Sequence, residues 1–231
     1  MVHELYLFKN IPFDANIAEL SQNPFFKGDA QEEAVVAAWN KAAALAEPAV
    51  MVRQVDVIHG EKGVCEIGGQ SVSSAVLDKN LAGLHRAFAF VATCGRQMAL
   101  EDSDNENVKA ALFVLRMQSL RAAMDYALSW TKEHFVLSKI ATVNPGSLPQ
   151  WPISEQPVLF SMIGDVKGEL GIELTKTMFM WPSESASGLI FETEHDYKNC
   201  MACKKLDCIG RQAPYNEALA AELEAIDGNK M

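Results

Sequence analysis

The sequence predicts an α+β fold with a mostly antiparallel sheet, and three observations carry that reading. Helical and strand periodicities interleave irregularly, without the regular alternation of βαβ units. A hairpin signal runs from Val52, Val55 and Val57 through His59-Gly60-Glu61-Lys62-Gly63 to Val64-Cys65-Glu66-Ile67, and a hairpin pairs its strands antiparallel. The chain has 231 residues, 49% hydrophobic and 22% charged, which excludes collagenous, low-complexity and disordered classes. A chain of that length buries a core without disulfide staples.

Asp29 with Glu32 and Glu33 reads as a helix start, and the Ala-rich stretch 34–46 follows until Pro48 stops it. Residues 71–84 show helical spacing through Val72, Val76, Leu77 and Leu81. Ala87–Thr93 is a nearly continuous apolar run whose length and flanks predict a buried strand. From Asp104 an apolar stripe through Val108, Leu112, Leu115, Leu120, Met124 and Leu128 predicts a long helix ending near Phe135. After the polar loop 142–152, Ser154 and Glu155 open a further helix ending near Gly168–Gly171. Leu174–Met180 and Leu189–Glu192 read as a strand pair around the loop 182–188, and Asn216–Ile226 as a final acidic helix. No internal repeat appears.

Thirty acids against twenty Lys and Arg give a net charge of −10 and a pI near 5.0. Such a surface repels phosphates and argues against nucleic-acid or anionic-membrane partners. The longest apolar runs fall short of the ~20 residues of a spanning helix. The first residues carry acids and lack a signal-peptide core, so the expected location is cytoplasmic. Neither Ser-His-Asp, Walker nor dinucleotide-binding glycine patterns occur, which leaves hydrolase, NTPase and Rossmann readings without support.

Two loops carry unusual residues. In the first, Asn144-Pro145-Gly146 leads to Trp151-Pro152 and the helix start Ser154-Glu155-Gln156; in the second, Trp181-Pro182 precedes Ser185, Ser187 and Gly188. Pro-Gly is a turn signal, and small hydroxyl residues leave backbone groups open to a small ligand. The competing reading is two tight connections whose Trp151 and Trp181 cap the core.

The ordered set Asn-Pro-Gly, Trp-Pro, Ser-Glu-Gln, Gly-Ile-Glu-Leu-Thr, Met-Trp-Pro and Ser-Ala-Ser-Gly within 142–191 resembles the activation domain of cobalamin-dependent methionine synthase. It is closer still to stand-alone activation-domain-like proteins of anaerobes. The resemblance implies a C-shaped single domain with a bent, mostly antiparallel sheet flanked by helices. It also implies a corrinoid-binding protein or methyltransferase as partner, with cobalamin held there and its cobalt reductively reactivated. The family's ligand loops fall on Asn144, Pro145, Gly146 and Trp151, and on Trp181, Pro182, Ser185, Ser187 and Gly188. The family binds S-adenosylmethionine and places an Arg two residues before the position of Asn144; this chain has Thr142. A hydroxyl does not replace a guanidinium that pairs with the ligand carboxylate, which weighs against S-adenosylmethionine here. Lys139 is the neighbouring cation.

Five cysteines stand at 65, 94, 200, 203 and 208. Cys200, Cys203 and Cys208 lie within nine residues, beside Lys204, Lys205 and Arg211, a spacing that lets thiolates converge on one soft metal centre. The alternative is free thiols on a mobile tail. Zinc and an iron–sulfur cluster both suit sulfur ligands, and each needs a fourth ligand or an open site. Cys94, at the Ala-Thr-Cys-Gly turn, is the preferred fourth ligand and His195 the second choice. The stand-alone relatives often carry this cysteine tail, which implies an iron–sulfur cluster. Residues 1–194 are thus expected to form the activation-like domain and 195–231 a metal-binding tail with its helix. A non-catalytic interaction module with a structural zinc is the competing function. Cys65 reads as a small core residue, and His3, His59, His85 and His134 as scattered.

Overall fold

The computed structural model describes residues 3–24, 26–60, 64–208 and 210–228. Its strands are β1 (Leu5–Phe8), β2 (Ala49–His59), β3 (Val64–Ile67), β4 (Gln70–Ser73), β5 (Arg86–Thr93), β6 (Ile140–Val143), β7 (Glu173–Leu174), β8 (Met180–Trp181) and β9 (Ser185–Glu192). Its α-helices are α1 (Glu33–Ala44), α2 (Ala75–Asn80), α3 (Arg96–Ala99), α4 (Glu106–His134), α5 (Gln156–Ile163), α6 (Val166–Leu170) and α7 (Glu217–Gly228). Among the described residues every pairing is antiparallel: seven strands form a sheet ordered β4-β3-β2-β5-β9-β6, with β1 also on β2, and β7 pairs with β8 alone. The long strand β2 pairs with β5 along one edge and divides its other edge between β1 at Val50–Arg53 and β3 at Val57–His59.

The period-2 alternation of strand side chains separates two cores. Met51, Val55, Ala89, Val91, Leu189 and Phe191 face one side, with Leu77 of α2, Leu159 of α5, Val166 of α6 and Leu223 of α7. Val50, Val52, Phe88, Phe90 and Ile190 face the other, under Leu120, Ala123 and Ala127 of α4. Each large side chain so buried contributes roughly 1.5–3 kcal/mol of apolar transfer. A third cluster joins Trp39 of α1, Leu112 and Leu115 of α4, and Leu20 of the 3-10 turn Ile17–Gln22. Asn105 opens α4 by accepting from the amides of Asn107 and Val108, and Lys132 and His134 occupy its last turn, where the dipole favours cations. Among the described residues no helix is long and apolar enough to cross a membrane.

The hairpin, the buried strand β5, the long helix α4 and the final helix fall where the sequence puts them. Four other elements differ. Residues 70–73 form β4 against β3, and the helix starts after it, because Ser74 caps α2 by accepting from the Leu77 amide. The helix after Ser154 breaks at Gly164, whose φ of 125° ends α5 before Asp165 caps α6. Leu174–Met180 is not a strand partner of Leu189–Glu192. Its ends form the small β7–β8 hairpin, while β9 begins at Ser185 and sits between β5 and β6. The N-terminal β1 is a further strand on β2. The terminal segment is tied in by α7, whose Leu223 is fully buried in the core beneath α2.

Candidate functional site

Where β6 runs out, the Pro-Gly turn is built by backbone bonds. Gly146 donates to the Trp151 carbonyl at 2.7 Å and Ser147 to that of Asn144 at 3.2 Å. Gly146 has φ 81°, and a Cβ there would meet the Ile153 side chain at 3.0 Å, so the turn requires glycine. Pro145 is buried and Trp151 is 2% exposed, packed in the core; Trp151 is therefore a core cap in this fold.

The second segment is more strand than loop. Ser187 and Gly188 lie inside β9, opposite Val91 and Phe90 of β5. The Ser187 hydroxyl is buried and donates to Gln156 Oε1 at 2.8 Å, which locks β9 to the start of α5. Ser185 donates to the Thr93 hydroxyl at 3.4 Å. At Gly188 an added Cβ would stand 2.3 Å from the Val143 carbonyl oxygen and 2.7 Å from the Asn144 amide nitrogen. The small residues are therefore demanded by close backbone approach. Pro182 is buried after a cis peptide bond, and Trp181 is half-buried with the Arg96 guanidinium 4.7 Å from its ring centroid.

The two segments and the cysteine tail are joined by one hydrogen-bond chain. Tyr197 donates from its hydroxyl to Asn199 Oδ1 at 3.0 Å, Asn199 donates from Nδ2 to Asn144 Oδ1 at 3.1 Å, and Asn144 donates from Nδ2 to the Ser187 carbonyl at 2.6 Å. Burial pushes the Tyr197 phenol up to about 12, so it stays a neutral donor. Cys200 follows Asn199 directly, in the 3-10 turn Asn199–Met201.

Arg211 organises the cysteine loop. Its guanidinium donates to the carbonyls of Cys200 (2.6 Å), Cys203 (2.8 Å), Lys205 (2.7 Å) and Ala213 (3.1 Å). The Gln212 amide points at Cys200 Sγ at 3.4 Å, the kind of N–H···S contact that stabilises a thiolate. Cys200, Cys203 and Cys208 are all part-exposed. Their sulfurs do not form a trio with every pair within 4.8 Å. Sulfurs around one tetrahedral zinc would lie about 3.8 Å apart, from Zn–S bonds of about 2.3 Å.

Cys94 is not brought to this loop. It is fully buried on the α4 side of the sheet, whereas Cys203 packs on the opposite side. Its thiol donates to the Gly95 carbonyl at 3.6 Å, and burial, helped by the Glu184 charge, pushes it up to about 12. The carbonyl of Cys94 accepts from Ser119 of α4 at 2.9 Å. His195 instead lines a cleft of about 800 Å³ beside the tail, together with Lys79, Ser138, Glu192, Tyr197 and Met201; none of the nine loop residues lines it. Lys139 is ion-paired to Asp196 at 2.8 Å. Sequence reasoning gave no role to Gln156 and Asn199, which act across 31 and 55 residues, nor to Tyr197, which bonds Asn199 two residues on.

No family model matches the chain, and no curated protein matches it in sequence. Among solved structures, the fold is similar to that of a crystal structure of the MetH reactivation domain bound to AdoHcy. The TM-score is 0.59 and the identity 16%, over 85% of this chain and 82% of that one. At that identity the likeness defines the fold class, an open antiparallel sheet flanked by helices.

Proposed function

We propose that this chain is a cytoplasmic, corrinoid-associated protein of the methionine synthase activation type. It engages a cobalamin-binding methyltransferase and assists reductive activation of the cobalt, with an iron–sulfur cluster held by Cys200, Cys203 and Cys208. The observation that carries the reading is the bond chain Tyr197–Asn199–Asn144–Ser187, which ties the Pro-Gly turn, β9 and the start of the cysteine loop to one another. The fold shared with the MetH reactivation domain supports it independently.

The residues of the tail fit a cluster. Three part-exposed thiols are presented by one loop, Arg211 offsets the negative charge, and the Gln212 amide aims at Cys200 Sγ. Such a cluster supplies low-potential single electrons when bound, down to about −700 mV. Leu206, between Cys203 and Cys208 and 64% exposed, gives the surface an apolar contact point for a partner.

The AdoHcy of the structural neighbour raises an S-adenosylmethionine-related ligand as a further element of the proposal. Thr142 offers no cation for its carboxylate, and Lys139 is already paired with Asp196. The proposed role therefore leaves methyl donation to the partner. Iron and acid-labile sulfide analysis of anaerobically purified protein tests the reading. A brown, iron-containing protein is expected, bleached by Cys200→Ser with Cys203→Ser. A colourless protein with zinc in the tail would replace the redox role with a structural one.

A further inference from the structure

A second group of ligand atoms lies away from the tail. Among the described residues, His59, Cys65 and Asp78 are the one group of three or more His, Cys, Asp or Glu side chains whose donor atoms all lie within 4.8 Å of one another. Three elements bring them together. His59 ends β2 and stands directly opposite Cys65 on β3, and Asp78 projects from α2. Cys65 Sγ is 3.9 Å from His59 Nδ1 and 3.9 Å from Asp78 Oδ1.

The distances suit a metal better than they suit the thiol's own hydrogen bonds, for which 3.9 Å is long. A tetrahedral zinc with Zn–S of about 2.3 Å and Zn–N or Zn–O of about 2.0–2.1 Å sets its sulfur about 3.6 Å from each nitrogen or oxygen ligand. The two pairs that include Cys65 need a closure of only a few tenths of an ångström, and the His59 and Asp78 donor atoms lie within 4.8 Å of each other. The imidazole is already oriented for the task. His59 Nε2 lies 2.9 Å from the Leu84 carbonyl oxygen, which can only accept, so in the neutral ring Nε2 carries the hydrogen and Nδ1 presents its lone pair to Cys65. This is the outer-shell arrangement by which a ligating histidine is held in one tautomer.

Burial adds a second argument. Cys65 is 1% exposed, Asp78 half-buried and His59 exposed, so the group forms a pit with sulfur at its floor and nitrogen and oxygen toward its mouth. A divalent ion with one thiolate and one carboxylate is neutral overall, which lessens the cost of charge beside Val57, Leu77 and Leu81. Mixed S, N and O donors select a borderline ion, and the exposed side leaves room for water as the fourth ligand.

We propose that His59 Nδ1, Cys65 Sγ and Asp78 Oδ1 form a zinc(II) site that clamps the β2–β3 hairpin to α2. It is independent of whatever the cysteine tail binds. The test uses the full chain carrying Cys200→Ser, Cys203→Ser and Cys208→Ser, freed of metal by a chelator and titrated with zinc(II) and cobalt(II). One equivalent of metal per chain, with a thiolate-to-cobalt charge-transfer band, is expected. Adding His59→Ala or Asp78→Asn should abolish both the band and the bound equivalent. His59 is exposed, so its variant tests the site without disturbing the core. Absence of tight metal binding in the tail-substituted chain would overturn the proposal. So would binding that survives both His59→Ala and Asp78→Asn.

Discussion

Cys94 at the end of β5 and Cys200 in the loop after β9 put the same side chain into opposite settings. Cys94 is enclosed by the α4-side core, its carbonyl held by Ser119 and its thiol pushed up to about 12. Cys200 and its two neighbours are part-exposed, on a loop whose shape is set by a single guanidinium donating to four carbonyls. The sheet end is fixed by packing and register, and the loop by charge-assisted hydrogen bonds. A thiol in the first setting is inert filling; in the second it is available to a metal, an oxidant or a partner. The difference teaches that residue type nominates a ligand, and the donor atoms and charges brought beside it by the fold decide it.

The strongest way to break this contrast is to ask whether the C-terminal segment belongs to the core at all. Leu223→Ala, at a fully buried position of α7, should lower unfolding free energy by about 2–5 kcal/mol in a denaturant titration. An unchanged midpoint would make residues 195–231 a separate unit. Gly188→Ala should cost about 3 kcal/mol, because its Cβ meets the Val143 carbonyl and the strands must part. Arg211→Gln should cost about 1–3 kcal/mol while sharply reducing iron loading, since the lost donors are local to the loop.

Smaller effects sharpen the comparison. In metal-free native protein at pH 8, a thiol reagent should modify Cys200, Cys203 and Cys208 quickly and leave Cys94 unmodified until unfolding; peptide mapping reads this directly. The pH dependence follows from the same burial. The folded thiol of Cys94 is raised from its ordinary 9.0 to about 12, so the unfolded state releases its proton first. Its stabilising contribution is complete below pH 9 and declines as pH rises toward 12. Tyr197, raised from 10.0 to about 12, acts in the same direction from pH 10 upward. Cys94→Ala should make the alkaline decline shallower between pH 9 and 10.

Much of the scaffold was legible in the sequence. The apolar run of β5 and the stripe of α4 have periods that leave little choice, and the hairpin announced its own pairing. Ser185–Gly188 misled because small polar residues read as a loop, whereas here they are needed where strands crowd. The cysteine cluster was visible from spacing, and its neighbourhood was not. Asn199 meets Asn144 from 55 residues away, and neither carries a local signature. Cys94 shows the limit of spacing arguments most plainly. Its turn motif is real, yet strand alternation turns its thiol to the α4 side, away from the tail. His59 and Cys65 share the hairpin signal but show no ligand spacing along the chain; the strand register sets them opposite each other, and α2 adds Asp78.

The proposed role stands or falls on electron delivery to a partner's cobalt. The direct measurement is the cob(II)alamin paramagnetic resonance signal of a cobalamin-loaded methionine synthase corrinoid domain, followed anaerobically after adding the dithionite-reduced, desalted protein with methyl iodide as methyl donor. Loss of the signal with the intact chain, and its persistence with the Cys200→Ser, Cys203→Ser, Cys208→Ser variant, is the predicted result. Equal persistence, or equal loss, with both proteins would contradict the proposal.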